Sequence, residues 1–286
     1  MRIRIHIVGD TQRVMPVEQL AFGRETNDAG RSALAQDMLT GHCDAIVHLG
    51  DLVGTVGSAV DWARFDQDYP LSRLAGTTLH VCRGNHDCGG LLMGHPREFE
   101  RRYPQALGQL QVVDLGGIRL LLLDTNRGVL TTSEWQAQVE AFEAALIAAE
   151  EVSTISHVLV FGHHPPLTNG LWHRPNQAVY DAFVEPFLKC PKSRAFFSGH
   201  VHAYERFNVQ SRYLIVTGGG GGPRSKCLHG RWQRHQSEVD LAHPHPLHYV
   251  RLDATPSRIV AVVRYCDEES GDWKELDQWS IECANG

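Results

Sequence analysis

The chain is a succession of short apolar runs, several of which stop abruptly at a glycine and a polar cluster. Ile3 to Val8 alternates into such a run and ends at Gly9-Asp10-Thr11-Gln12, the pattern of a strand followed by a polar turn. Ala45 to Leu49 stops at Gly50-Asp51, and Thr78 to Cys82 leads into Gly84-Asn85-His86-Asp87. His157 to Phe161 ends at Gly162-His163-His164-Pro165-Pro166, and Arg194 to Phe197 at Ser198-Gly199-His200-Val201-His202. Helical spacing lies between the runs. Glu25 to Leu39 carries Ala29, Ala33, Leu34 and Met38 on one face, with Gly41 as C-cap. Ala59 to Tyr69 places Trp62, Phe65 and Tyr69 together, and Val179 to Leu188 reads as a shorter helix. The strongest helix is Thr132 to Glu151, striped by Trp135, Val139, Phe142, Leu146 and Ile147 and capped by Thr131, Thr132 or Ser133.

Leu110 to Leu115 and Ile118 to Leu123 flank Gly116-Gly117 and predict a hairpin with a two-residue turn. Tyr213 to Thr217 is a strand running into Gly218 to Gly222, and His248 to Leu252 and Ile259 to Tyr265 are two more. Helices alternate with strands in the first two-thirds, and strands crowd the last third. That order predicts two packed sheets with helices outside, in a single domain over residues 1–286. Pro223 to Pro246, rich in Arg, His, Gln and Ser, is the segment expected to be irregular.

Composition narrows the picture. A hydrophobic share of 42% and a charged share of 21% are those of a soluble globular protein with a real core. A formal net charge of -6 argues against a general nucleic-acid or anionic-membrane surface, while leaving room for a local basic patch. The N-terminus has no apolar h-region, and no window approaches the 18 or so apolar residues of a spanning helix, so a cytoplasmic protein is expected. Seven cysteines without a Cys-x-x-Cys pair indicate reduced thiols rather than a disulfide framework or zinc ribbon. The unusual feature is 17 histidines, and it directs attention to the strand ends.

Five strand ends present Asp10 and Gln12, Asp51, Asn85 and His86, His163 and His164, and His200 and His202. Carboxylate, amide and imidazole make a mixed oxygen and nitrogen set, suited to Mn²⁺, Fe²⁺ or Zn²⁺ rather than Ca²⁺. The donors are too many for one ion; two divalent ions sharing a carboxylate would use them all. Taken singly each cluster is weak, because Gly-Asp is common in turns. Gly218 to Gly222 lacks the Lys-Ser/Thr of a phosphate cradle; it reads as backbone passing close to the metal edge, or as a plain loop. Arg224, Lys226, His229, Arg231, Arg234 and His235 form a basic cluster, either a solvated loop or a lid in which Arg231 and Arg234 recruit an anionic substrate. Asn126 and Arg127, just past a strand end, are read as bordering the site.

Gly9-Asp10, Gly50-Asp51, Gly84-Asn85-His86-Asp87, His163-His164-Pro165 and Gly199-His200-Val201-His202, in that order, resemble the five blocks of the calcineurin-like metallophosphoesterases, including the purple acid phosphatase branch. The resemblance implies a four-layer αββα sandwich, two mixed β-sheets flanked by helices, with a dinuclear metal centre. It implies Asp51 as bridging carboxylate, Asp10 and His202 on one ion, and Asn85, His163 and His200 on the other. It further implies His86 as the catalytic histidine, its ring held by Asp87, and His164 facing the substrate phosphate. Two positions depart from the pattern. Gln12 stands where the family has His or Gly, as a weaker ligand or a partner of a ligated water. Leu52-Val53-Gly54 stands where purple acid phosphatases carry their iron-binding tyrosine, so a purple Fe³⁺ site is not expected. The implied reaction is hydrolysis of a small-molecule phosphate ester by in-line attack of a metal-bridging hydroxide. The alternatives are a phosphodiesterase acting on a cyclic nucleotide or nucleic-acid end, and a non-catalytic metal-binding scaffold, against which the intact His86 and Asp87 weigh.

Overall fold

The computed structural model describes every residue except 1, 15–18, 22, 71–73, 75, 92 and 283–286. The apolar runs become the strands β1 (Ile3–Val8), β2 (Ala45–His48), β3 (Thr78–Val81), β4 (Gln111–Leu115), β5 (Ile118–Leu122), β6 (His157–Gly162), β7 (Ser193–Ser198), β8 (Tyr204–Val209), β9 (Arg212–Thr217), β10 (His248–Thr255), β11 (Arg258–Cys266) and β12 (Trp273–Glu282). The helices are α1 (Asp28–Met38), α2 (Ala59–Asp68), α3 (Arg97–Arg102) and α4 (Thr132–Glu151), followed by a composite segment. In that segment an α turn (Gln177–Val179) passes through a π-helical stretch (Tyr180–Val184) into α helix (Glu185–Lys189).

The strands form two six-stranded sheets, ordered β12-β11-β10-β1-β2-β3 and β4-β5-β6-β7-β9-β8. Both are mixed. β1, β2 and β3 run parallel, with β10, β11 and β12 added antiparallel. In the second sheet β5, β6, β7 and β9 are parallel, with β4 and β8 antiparallel at the edges. Three apolar clusters show how the layers stack. Ile3, Ile5, Ile7, Leu120, Leu122, Leu159, Phe161 and Phe197 fill the space between the sheets. Strand alternation turns their neighbours outward. Val158, Val160 and Phe196 then pack under Trp135, Phe142 and Leu146 of α4 and Phe183 of the composite helix. Val8, Ile46 and Val81 pack under Leu34 of α1 and Trp62 and Phe65 of α2. The result is helix, sheet, sheet, helix, as expected.

Local signals hold where their chemistry is specific. Gly116 and Gly117 both have positive φ (55° and 94°) and close β4 onto β5 with Leu115 opposite Ile118, as a two-residue primed turn requires. The cap of α4 is Thr131, in a complete capping box with Glu134. Residues 223–246 hold no strand and only the short turn Gly230–Trp232.

Three readings are corrected. α1 starts at Asp28 rather than Glu25 and caps at Leu39, two residues before Gly41. β8 begins two residues after His202 and carries no strand signal in the sequence, because its polar Glu205, Arg206 and Asn208 break the apolar run. β12, at the sheet edge, alternates polar and apolar too weakly to announce itself. Among the cysteines, Cys43, Cys82, Cys88, Cys190, Cys227 and Cys266 are free thiols, and Cys283 lies outside the described residues.

Candidate metal centre

The strand ends converge because β1, β2 and β3 in one sheet, and β6 and β7 in the other, all finish on the same side. The turns are tight. Asp10, Asp51 and His200 adopt φ of 62°, 55° and 69°, a left-handed conformation that costs most side chains about 1–3 kcal/mol each. Only Gln210 and Ser211 share it among the other described non-glycine residues. Backbone bonds lock these turns: Asp10 N donates to Gly50 O at 3.0 Å, and Gln12 N to Asp51 O at 3.1 Å. The glycine run after β9 serves the same convergence. A Cβ on Gly218 would stand 2.7 Å from Asp10 Oδ2, and one on Gly222 2.6 Å from the His202 ring.

All seven expected donors lie in one linked group of contacts. Ligand atoms of Asp10, Asp51 and His163 fall within 4.8 Å of one another, as do those of His163, His164 and His200. Asp51 Oδ2 is 3.5 Å from His163 Nε2, and Gln12 Nε2 donates to it at 3.3 Å. His163 Nε2 is 3.0 Å from Asn85 Oδ1 and 3.2 Å from His200 Nδ1. On the other side, His202 Nε2 is 3.4 Å from Asp10 Oδ1 and 3.1 Å from Gln12 Nε2.

Hydrogen bonds settle which ring nitrogens are free. His163 Nδ1 faces Leu49 O at 2.9 Å and His202 Nδ1 faces Pro223 O at 2.7 Å. A carbonyl can only accept, so each Nδ1 carries the hydrogen and each Nε2 of a neutral ring offers its lone pair to the centre. Burial holds His163 and His200 well below the ordinary histidine range, which keeps them neutral and able to ligate. Burial raises Asp10 to about 6 against the opposing bond from His202; for His202, burial pulls down but the Asp10 bond and charge prevail, raising it. The residues therefore fit a cation: carboxylate and imidazole ligand atoms crowd within 4.8 Å, and Gln12 Oε1 is buried without a hydrogen-bond partner.

His164 is different in kind. Thr125 Oγ1 accepts from the backbone N–H of His163 at 3.2 Å and of His164 at 2.9 Å, and sits 3.0 Å from His164 Nδ1. With its lone pairs engaged, the hydroxyl donates to Nδ1. Burial lowers the pKa of His164, so its neutral ring carries the hydrogen on Nε2 and is a donor rather than a ligand. His86 Nδ1 lies 3.2 Å from Gly54 O, and its Nε2 is 4.0 Å from Asp51 Oδ2.

Two expectations are corrected. Asp87 does not hold the His86 ring. Its Oδ2 accepts from Gly84 N at 2.9 Å and Asp51 N at 2.8 Å, and its Oδ1 from Leu52 N at 3.1 Å. It organises the backbone beneath Asp51, while His86 is held by Gly54. Burial, with the charge of Asp51, pushes the Asp87 carboxyl well up, and those three N–H donors oppose it. Arg231 and Arg234 do not line the cleft. Arg231 stacks on Trp232, and Arg234 is spent on the carbonyls of Gly170 (2.6 Å) and Leu171 (3.4 Å). The cleft over the centre, about 650 Å³, is bordered instead by Arg24, Arg224 and Lys226. Arg224 is held by Glu25 and Glu268. Asn126 stands behind the site, donating to Arg83 O and Asp124 Oδ1.

Sequence reasoning also missed His173. Its ring lies 4.7 Å from that of His200, it lines the cleft, and its buried Nδ1 has no hydrogen-bond partner. It follows no apolar run, so nothing local distinguished it from the other histidines.

The calcineurin-like phosphoesterase family matches residues 3–204. The chain belongs to that family. Among solved structures it is similar to purple acid phosphatase PPD1 from yellow lupin (Lupinus luteus), at 18% identity and a TM-score of 0.73 over 99% of this chain and 54% of that one. The chain thus spans about half the length of the lupin enzyme. It is also similar to a dimetal phosphatase from Danio rerio (13% identity, TM-score 0.65, 99% of each chain). A third likeness is to GAP50, the anchor in the inner membrane complex of Plasmodium (12%, 0.66, 99% of this chain and 90% of that one). No curated protein matches the sequence. At these identities the likenesses establish a shared fold, and the family match carries the phosphoesterase assignment.

Proposed function

We propose that this phosphoesterase domain, forming one unit over the whole chain, is a metal-dependent phosphohydrolase of small-molecule phosphate esters. The observation that carries the reading is the convergence of two buried carboxylates and a neutral imidazole, with ligand atoms of Asp10, Asp51 and His163 within 4.8 Å of one another and Asn85, His200 and His202 in contact with them. A cation offsets the crowding of two buried carboxylates, which a cluster of neutral histidines does not. Asp51 stands between the two halves of the donor set. Asp10, Gln12 and His202 would hold one divalent ion, and Asn85, His163 and His200 the other, as Mn²⁺, Fe²⁺ or Zn²⁺. Such a pair supplies activation of water and neutralisation of phosphoryl charge.

The remaining side chains have their own tasks. His164 offers Nε2–H to a phosphoryl oxygen, its tautomer fixed by Thr125. His86, with Nδ1 held by Gly54 O, moves a proton at Nε2, to or from the leaving oxygen. His173 lines the same cleft beside His200, within reach of a substrate bound there. Lys226 and Arg24 give that cleft a positive lining for the rest of an anionic substrate. Free thiols at every described cysteine favour a reducing compartment such as the cytosol. No helix among the described residues is long and apolar enough to cross a membrane.

The test is metal quantitation on protein purified without chelator, followed by a panel of alkyl and aryl monoesters and bis-aryl diesters with added Mn²⁺. Two equivalents of metal with monoester turnover is expected. Metal bound with no turnover of any ester would leave a scaffold and end the enzymatic reading.

A further inference from the structure

Part of the cleft lining comes from two loops that belong to neither sheet. One, residues 168–173, carries Trp172 and His173; the other, residues 223–235, carries Lys226. Asn169 lies where they meet and is almost fully buried. Every polar group it owns is used, and in both directions across the junction. Its backbone N donates to Glu205 Oε1 at 2.8 Å, and its backbone O accepts from Leu228 N at 2.8 Å. Its Oδ1 accepts from Arg234 N at 2.7 Å and His235 N at 3.0 Å, while Nδ2 donates to His235 O at 2.9 Å.

Glu205 anchors this junction to β8, three residues beyond His202. Its second oxygen accepts from Thr168 Oγ1, which in turn accepts from Gly170 N at 2.9 Å. The zipper continues toward the cleft: Leu171 N donates to Lys226 O at 2.7 Å, and Arg234 donates to Gly170 O. Thus Arg234, which fails to reach the cleft, is part of its support. A buried carboxylate and a buried amide are costly unless fully bonded, and fully bonded they hold the two loops rigidly at this junction.

We propose that Asn169, seated on Glu205, is a positioning residue that ties the two loops together and so sets His173 over the metal centre. It touches no reacting atom and acts through His173. The inference rests on the phosphohydrolase reading for its kinetic part, but its structural part stands alone. Losing the Asn169 side chain removes three bonds between the loops at once, to Arg234 N, His235 N and His235 O, and leaves the Arg234 guanidinium on Gly170 O and Leu171 O as the other side-chain tie. A displacement of about 1 Å at a positioning group costs on the order of 100-fold in rate.

The experiment is amide hydrogen exchange together with a double-mutant cycle, on the full chain. In Asn169→Ala, and in the milder Asn169→Ser, the amides of Leu171, Leu228, Arg234 and His235 should lose protection together while bound metal is unchanged. On an aryl monophosphate kcat/KM should fall about 10–100-fold. Asn169→Ala combined with His173→Ala should be no worse than His173→Ala alone, to within about twofold. Glu205→Gln should preserve protection and turnover, since an amide can still bond Asn169 N and Thr168, and Glu205→Ala should not. Multiplicative losses in the cycle, or protection lost at residue 171 alone, would overturn the proposal. If wild type turns over no ester, the phosphohydrolase reading falls by itself, and the exchange pattern decides the positioning claim.

Discussion

Gln12 Nε2 lies 3.1 Å from His202 Nε2 and 3.3 Å from Asp51 Oδ2, while Gln12 Oε1 is buried with no partner. The oxygen and nitrogen of an amide are assigned from their bonding, and half a turn about the last side-chain bond exchanges them. That turn brings the oxygen into the donor set with His202 and Asp51. Gln12→Ala should therefore weaken binding of one of the two ions by about 10-fold or more, as losses next to a metal do, and Gln12→His should tighten it. Calorimetric titration of chelator-stripped protein with Mn²⁺ checks this. Two equivalents bound to Gln12→Ala with unchanged affinities would show that the amide only bonds water.

Asp87 and His86 are neighbours in sequence with separate duties, and their variants should separate accordingly. Asp87→Asn replaces one of two accepting oxygens beneath Asp51 with a donor, so bound metal should fall, with affinity down about 10–100-fold. His86→Asn should retain both ions and lose about 10²–10⁴-fold in kcat. Metal content measured beside turnover distinguishes them. Equal metal loss in both variants would mean that His86 is structural.

The pH dependence of stability has a contribution away from the metal centre. His6, bonded through Nδ1 to Met38 O, is held by burial at about 4, and His248 likewise at about 4. The unfolded chain protonates these rings near 6.5 while the folded chain does not. Their contribution is thus fully present above about pH 6.5 and is lost as pH falls toward 4, by roughly 1.4 kcal/mol per unit and histidine. Denaturant unfolding with chelator present should show a shallower loss between pH 6 and 5 for His6→Asn than for wild type. Parallel slopes would refute it.

The capping box of α4 offers a test of the scaffold alone. Thr131 Oγ1 accepts from Glu134 N at 3.2 Å, and Glu134 Oε2 accepts from Thr131 N at 2.8 Å. Thr131→Ala should cost about 1 kcal/mol, read as a lower unfolding midpoint with an unchanged denaturant slope. A loss within experimental error would mean that packing of Trp135 and Phe142 holds the helix end without its cap.

What the sequence by itself determined was set by local rules. Apolar runs of four to six residues ending in glycine specify strands, and polar clusters after them specify where donors emerge. That was enough for the sandwich, for most helices, and for bringing Asp10, Gln12, Asp51, Asn85, His163, His200 and His202 to one sheet edge. The tertiary structure alone decided partners. Asp87 bonds three amides rather than the adjacent His86: the left-handed turn at Asp51 brings Asp51 N and Leu52 N to it, and Gly84 N reaches it from its own loop. His173 comes to His200 as a ring contact across 27 residues, and Arg234 is withdrawn from the cleft through bonds that span 64 to 66 residues. Periodicity along a chain records which face is buried; it holds no record of which polar atoms will meet across loops of irregular backbone.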